Sequence, residues 1–250
     1  MKLIYDCHTH TSYSHGKNTA REMIARAHEI GLCGIHITEH GYMHYYSRKH
    51  HTTSETHLRL RDEVEKCKSL YPDMDIRFGV EANVISLDGE TDVPESFDGV
   101  YDFINVGYHM MVVMTDIKSE LRLQGNVLLY KKLGISSLEP RFCEICTETM
   151  LKTLDSYKIN MITHPTRSYP MDIGRIAEKC EKTGTLLEIN DPKGLLNAEL
   201  IREVLRVSDK VKFAVGSDAH CVENVGKCDT AFKIIKESGV DIKRVVNAEE

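Results

Sequence analysis

Nine residues carry the chemistry open to this sequence: His8, His10, His15, His40, Glu81, His109, His164, Asp218 and His220. Seven are imidazoles and two are carboxylates, and they fall at the ends of short apolar runs spread along most of the chain. A divalent cation needs several nitrogen or oxygen donors at once, so repeated delivery of such groups to strand ends is what a centre of several metals requires. That points to hydrolysis. A lone histidine at a strand end is more often a hydrogen-bonded core or surface residue, and His28, His36, His44, His50, His51 and His57 are read that way. The nine differ because independent structural histidines have no reason to fall at the same end of successive strands.

Local spacing supports the same chemistry. Asp6, His8 and His10 alternate along an extended segment, which puts them on one face with Cys7 and Thr9 on the other. Two imidazoles then reach one ion, and Asp6 is placed to support them from behind. Asp218 and His220 repeat the two-residue spacing after Val215-Gly216-Ser217, and Glu81 has two oxygens with which to bridge two cations. Glu81 and Asp218 are the carboxylates expected to serve catalysis.

The elements that must position these groups alternate along the chain. Apolar strand segments fall at about residues 3 to 7, 34 to 38, 76 to 82, 102 to 108, 159 to 163, 185 to 189 and 211 to 216. Helical periodicity covers Thr19 to Ile30, Ser54 to Leu70, Cys143 to Tyr157, Asp172 to Lys182, Asn197 to Val207 and Val222 to Glu237, with Gly31, Gly184 and Gly239 as stops. Strands joined by single helices make a parallel sheet, and seven such units favour a closed or nearly closed barrel. In a barrel the C-terminal strand ends, where the nine donors fall, converge on one rim.

Composition sets milder bounds. The 250 residues are 41% hydrophobic and 28% charged, as in an ordinary globular protein, and a net charge of −6 argues against a nucleic-acid-coating role. The amino terminus enters a strand directly and no apolar run reaches the length of a membrane span, so a cytoplasmic location without membrane contact is expected. The eight cysteines show no compact disulfide spacing. Cys143 and Cys146 form one C-x-x-C within a helical segment, which reads as helix packing, with no second pair to complete a zinc site.

Taken together, Asp6-Cys7-His8-Thr9-His10-Thr11, Ser14-His15-Gly16, Ile37-Thr38-Glu39-His40-Gly41, Gly79-Val80-Glu81, Val106-Gly107-Tyr108-His109, Ile162-Thr163-His164-Pro165 and Gly216-Ser217-Asp218-Ala219-His220 resemble the full motif set of the polymerase and histidinol phosphatase (PHP) superfamily. The resemblance implies one domain over residues 1–250, folded as a distorted seven-stranded (β/α)7 TIM-like barrel, with three divalent metal ions, commonly zinc, manganese or iron. It further implies that His8, His10, Glu81 and Asp218 hold the first ion, Glu81, His109 and His164 the second, and His15, His40 and His220 the third. Glu39 stands where the family usually has Asp, on a side turned away from the face of His40, so little effect on the ligands is expected.

Three clustered cations favour phosphate-ester hydrolysis, because a water held between two of them ionises near neutral pH while the remaining charge neutralises a phosphoryl group. The expected partner is a small phosphorylated substrate. Arg167, three residues past His164, reads either as a planar fork offered to its phosphate or as a solvated surface residue. The aromatic and basic run from Tyr42 to Thr53 reads either as a lid bearing Arg48 and Lys49 or as a polar surface loop. Asn190, ending the sixth strand near Glu188 and Asp191, is the better candidate there for hydrogen bonding either to a metal ligand from behind or to substrate. The connection from Met110 to Arg141, with a helix around Gln124 to Leu133, is the expected seat of selectivity. The reading is thus a metal-dependent phosphatase of small monoesters. The alternatives are histidinol-phosphate phosphatase of histidine biosynthesis and a nuclease acting on oligonucleotide ends; a basic track expected of the latter is missing outside the loop after His40. A non-catalytic binding module is disfavoured, since no ligand of the set is absent.

Overall fold

The computed structural model describes residues 1–50, 52–93, 99–192 and 195–250; His51 lies outside the described residues. After a short β1 (Lys2–Leu3), seven parallel strands run in sequence order around one sheet: β2 (Tyr5–Thr9), β3 (Gly34–His40), β4 (Asp75–Asn83), β5 (Phe103–Gly107), β6 (Met161–Ile162), β7 (Leu186–Asn190) and β8 (Phe213–Gly216). β9 (Ala248–Glu249) pairs antiparallel with β1 and ties the two ends of the chain together. The helices are α1 (Ala20–Glu29), α2 (Tyr45–Lys49), α3 (Ser54–Leu70), α4 (Ile117–Ser119), α5 (Glu139–Ser156), α6 (Ile173–Thr183), α7 (Ala198–Val207) and α8 (Asp229–Ser238). No helix among the described residues is long and apolar enough to cross a membrane.

α6 shows how the sequence builds these units. Asp172 caps it by accepting from the Arg175 N–H, and Gly184 ends it at φ 76°, in the left-handed region where a side chain is unfavourable. Between them Ile173, Ile176, Ala177 and Cys180 are buried. Their spacing of three and four residues makes one apolar stripe against the sheet. The main core lies in this layer between strands and helices. A second, small cluster of Cys7, Phe103, Met161 and Ala214, with Tyr5, Leu186 and Val246 against it, draws on strands from around the sheet and therefore fills the inside of the barrel as a floor. His36 joins this floor, its ring 5.5 Å from Tyr5 and 4.4 Å from Phe103.

Three segments depart from the sequence reading. Val222 to Glu237 is not one helix: a single turn at Val222–Asn224 is followed by Gly226 at φ 73°, and α8 starts only at Asp229. Asp6 stabilises the break, since its Oδ2 accepts from the Gly226 N–H at 2.9 Å. The helix placed around Gln124 to Leu133 starts earlier, because α4 is continued by wide π-type turns at Glu120–Gly125 and Leu128–Lys132. The alternation of Asp6, His8 and His10 is broken by a register shift in β2, where the three steps from Asp6 to Thr9 span the two from Ile35 to Ile37. Such a bulge re-aims side chains. Cys143 and Cys146 lie on α5 as free thiols, with Cys146 in the core.

The barrel closes without a full ladder between β2 and β8. Near the rim, Thr9 bridges Ala219 and the His10 N–H donates to the Ala219 carbonyl at 2.8 Å. Lower down, the side chain of Asn247 takes the place of a strand pairing. Its Nδ2 donates to the carbonyls of Tyr5 at 2.8 Å and Val215 at 2.7 Å, and its Oδ1 accepts from the Val215 N–H at 2.8 Å. Asn247 is fully buried, so these backbone groups have no water to turn to. Asn247→Leu is therefore expected to lower the free energy of unfolding in urea by about 3 kcal/mol, and a loss under about 1 kcal/mol would show that the seam does not depend on it.

Candidate metal centre

The β3–β4–β5 ladder sets Glu81 opposite His40 on one side and Asn105 on the other. Glu81 is fully buried. Its Oε1 lies 2.8 Å from His164 Nε2, 3.3 Å from His109 Nε2 and 3.4 Å from His8 Nε2. Its Oε2 lies 2.9 Å from His40 Nδ1 and 3.5 Å from His10 Nε2. Despite this crowding neither oxygen has a partner with hydrogen-bond geometry. The ring nitrogens also meet one another, His8 Nε2 with His10 Nε2 at 3.1 Å and His109 Nε2 with His164 Nε2 at 3.2 Å. Two donors bound to one zinc-sized cation at about 2.1 Å, at an angle a little above 90°, stand about 3.1 Å apart. Nitrogens and carboxylate oxygens drawn this closely together, with both Glu81 oxygens left without a hydrogen bond, are arranged as donors around shared points are.

Three overlapping groups result: His8 with His10 and Glu81, His40 with Glu81 and His109, and His10 with His40 and His220, their donor atoms all within 4.8 Å in each group. Asp218 Oδ1 adds to the first, 3.4 Å from His10 Nε2 and 3.8 Å from His8 Nε2. His15 stacks on His40 with centroids 4.9 Å apart and stands 4.2 Å from the His220 ring. All nine sequence-selected donors thus meet at the C-terminal rim of the barrel. The grouping is less partitioned than the three sets implied by the resemblance, because His40 faces Glu81 while also standing with His15 and His220. His10, likewise, reaches two groups.

Electrostatics follow from burial and proximity. Burial alone pushes the Glu81 carboxyl up, but the imidazoles of His109, His8 and His164 outweigh it and hold Glu81 well below the usual carboxylate range. His8 shows the converse balance: burial disfavours its charge, yet Glu188, Glu81 and Asp218 raise it well above an ordinary histidine. Burial drives His10 well down and His15 down to about 3, each reinforced by neighbouring His40 and His220. A neutral imidazole keeps the lone pair that a cation needs. The Nδ1 atoms of His10, His15, His40 and His109 and the Nε2 of His220 have no hydrogen-bond partner in the protein.

The support beneath His8 comes from Glu188. Glu188 Oε1 pairs with His8 Nδ1 at 2.7 Å, which turns Nε2 into the centre, and its Oε2 accepts from the His164 N–H. Sequence reasoning gave this role to Asp6, but the bulge turns that carboxylate to backbone: Asp6 Oδ1 accepts from the N–H groups of Ser217 at 3.2 Å and His8 at 3.4 Å. Gly216 is needed for closeness, since a Cβ there would overlap the Glu188 carboxylate. His164 at φ 28° and Asp218 at φ 48° are held in a region that residues with side chains seldom adopt. Glu39 is less idle than expected. Its Oε1 accepts from the Thr11 N–H at 2.5 Å, which anchors the turn between His10 and His15, and burial pushes its carboxyl up to about 7.

Above the donors opens a cavity of about 260 Å³. Arg167 lines it together with Ser168, Tyr46, Tyr108, Met110 and Met111. His44, assigned to the structural histidines, is a wall residue instead, buried with its ring 4.3 Å from His40 and 5.3 Å from His109. Tyr46 stacks on His15 at 4.6 Å. The aromatic-rich run after His40 was the available signal for both. Arg48 and Lys49 are exposed and are not among the lining residues, because the short α2 turns Ser47 inward and the next two side chains to solvent. Asn190 is fully buried at the end of β7 with both amide atoms unpartnered, and it too is outside the lining set.

Comparison with known proteins places this geometry. A probable phosphatase of Acetivibrio thermocellus is 27% identical over 261 residues, covering 99% of this chain and 92% of that protein. A probable phosphatase of Shewanella loihica is 25% identical over 260 residues, covering 99% and 90%. Among solved structures, histidinol phosphate phosphatase of Lactococcus lactis subsp. lactis, complexed with zinc, L-histidinol and phosphate, superposes with a TM-score of 0.61 at 17% identity, covering 96% of this chain and 95% of that one. That likeness is one of fold. The model of the PHP domain matches residues 6–192, well over half of the 250, and the chain accordingly belongs to the PHP domain family.

Proposed function

We propose that the chain, acting as one barrel unit over residues 1–250, hydrolyses small phosphate monoesters at a centre of three divalent cations, drawn from zinc, manganese and iron. The observation that carries this reading is the convergence of five imidazoles on the two oxygens of Glu81, neither of which has a hydrogen-bond partner. Cations bound there would supply Lewis-acid neutralisation of phosphoryl charge and a water ionised near neutral pH. The chain's own residues do the rest. Glu81 spans two positions, Asp218 completes the group around His8 and His10, and Glu188 fixes the tautomer of His8. Arg167 offers its guanidinium fork to the phosphate from the cavity wall.

Several features favour a small monoester. The cavity of about 260 Å³ is at the low end for small-molecule sites. Seven histidines and two carboxylates around up to six positive charges leave a cationic pocket, which suits a dianionic terminal phosphate better than a singly charged diester. A polymer needs favourable contacts beyond the pocket, and the chain's net charge is −6. Histidinol phosphate, the ester suggested by the ligands of the Lactococcus structure, is the second reading within the same chemistry. Free thiols throughout the described residues suit a reducing, cytoplasmic setting.

Three measurements test this. Protein purified without chelator and supplied with metal should carry up to three equivalents of divalent cation by elemental analysis. Glu81→Ala should disrupt two positions together, whereas His15→Ala should mainly weaken one; equal loss of all metal in both variants would contradict the assignment. Arg167→Ala should lower kcat/KM on a monoester roughly a hundredfold without changing metal content, and Arg167→Lys should recover only part of it. An unchanged rate in both would leave Arg167 as surface. Finally, monoesters should be hydrolysed faster than diesters or oligonucleotides, with activity lost to chelators. Oligonucleotide cleavage orders of magnitude more efficient than any monoester hydrolysis would hand the reading to the nuclease.

A further inference from the structure

Two loops interlock to build the outer wall of the cavity. The chain after β3 and the chain after β5 pass antiparallel: the Tyr45 N–H donates to the Met111 carbonyl at 3.1 Å, the Val113 N–H donates to the Met43 carbonyl at 3.0 Å, and His44 bridges Val112. On the other side the Met111 N–H donates to Gln124 Oε1 at 2.9 Å, and Gln124 Nε2 donates to the His109 carbonyl at 3.0 Å. Met111 is held between these clamps at φ 63°, in the left-handed region. Its side chain is 54% exposed, yet it lines the cavity. An apolar side chain presented to water at the mouth of a site, on a backbone kept strained from both sides, is the sort of outlier that marks a ligand contact.

We propose that Met111, with Met110 and Tyr46, seats the leaving alcohol and selects phosphate monoesters of neutral apolar or aromatic alcohols over esters that carry an ammonium group; this rests on the phosphatase reading above. Methionine suits such a seat, because its thioether is polarisable and its chain adapts to a ring. The charges of the cavity point the same way. Arg167 lines it, and among the described lining residues Asp218 is the one carboxylate, standing 3.4 Å from His10 within the donor cluster. An ammonium group seated against Met111 would give up part of its hydration, meet no carboxylate among the described lining residues outside the donor cluster and face a cationic centre. The same physics ranks histidinol phosphate, an amino alcohol ester, below a neutral aromatic one.

The discriminating pair is benzyl phosphate and its para-aminomethyl derivative, which differ in an ammonium group remote from the bond that breaks. With metal-supplied protein, kcat/KM for benzyl phosphate should be at least about tenfold higher. Calorimetric titration of benzylphosphonate and its para-aminomethyl counterpart should show the same order without turnover. Met111→Ala should shrink the ratio, and Met111→Glu, by supplying a carboxylate, should raise kcat/KM for the aminomethyl ester about tenfold; both variants should keep the parent's metal content. Equal or better hydrolysis and binding of the aminomethyl compounds overturns this inference and leaves the phosphatase reading standing. Hydrolysis of neither ester by protein that has taken up its metals overturns that reading, and this inference with it.

Discussion

Five imidazoles, those of His8, His10, His40, His109 and His164, press on the one carboxylate of the buried Glu81 at the mouth of the barrel, and the remainder of the molecule is organised to make that tolerable. A buried carboxylate costs several kcal/mol when it is unpaired, and buried imidazoles without partners add to the cost. Here the two costs partly cancel: the imidazoles depress Glu81, and Glu81 with Glu188 and Asp218 raises His8. The cancellation is incomplete, because one ring nitrogen each of His10, His15, His40, His109 and His220 has no hydrogen-bond partner in the protein. A site so built gains stability from whatever cation fills it, in proportion to how tightly that cation binds. Metal affinity and folding stability are then one linked quantity in this chain.

Holding the donors in place falls to the strands. Parallel register fixes His40 beside Glu81, an apolar floor of Phe103, Met161 and Ala214 closes the barrel beneath them, and Glu188 rises from β7 to hold both the His8 ring and the His164 backbone. Closing so small a parallel barrel leaves β2 and β8 without a ladder, and the bulge in β2 is the local accommodation. That irregularity is also what frees His8 to aim inward while Asp6 turns to the backbone of Ser217 and Gly226. The same seam that weakens the sheet therefore shapes the centre, with Asn247 supplying hydrogen bonds the strands cannot.

The donors were legible in the sequence because strand ends are: a short apolar run stopping at a histidine or an acid needs no tertiary knowledge to be seen. Residues whose role depends on contacts between distant segments were not legible. His44 reads as one more histidine until Val112 arrives opposite it, and Tyr46 gains its place only by stacking on His15. Glu188 and Asn190 alternate on β7, and nothing local tells which of the two meets an imidazole. Arg48 looked promising as a base in an aromatic loop, but the phase of a five-residue helix decides its direction and points it to solvent. The π-type turns after α4 break the periodicity by which a helix is recognised, which is why its start at Ile117 was missed.

The division between strands and loops bears on how one centre serves different esters. His8, His40 and Glu81 lie within β2, β3 and β4, and His10, His109, His164 and Asp218 follow one or two residues past strand ends, so these donors cannot shift far without disturbing the sheet and the chemistry is tied to the fold. Tyr46, Met110, Met111 and Arg167 sit on connections beyond the strand ends, where substitution leaves the register untouched. Relatives only 25 to 27% identical across nearly the whole chain are then expected to retain the inner group and diverge in the outer wall. The interlock of the segments around His44 and Val112 adds a constraint to that freedom. Because the Met111 backbone is clamped from both sides, a change in either loop moves the other, and selectivity in this chain alters by exchanging side chains on a fixed wall rather than by reshaping it.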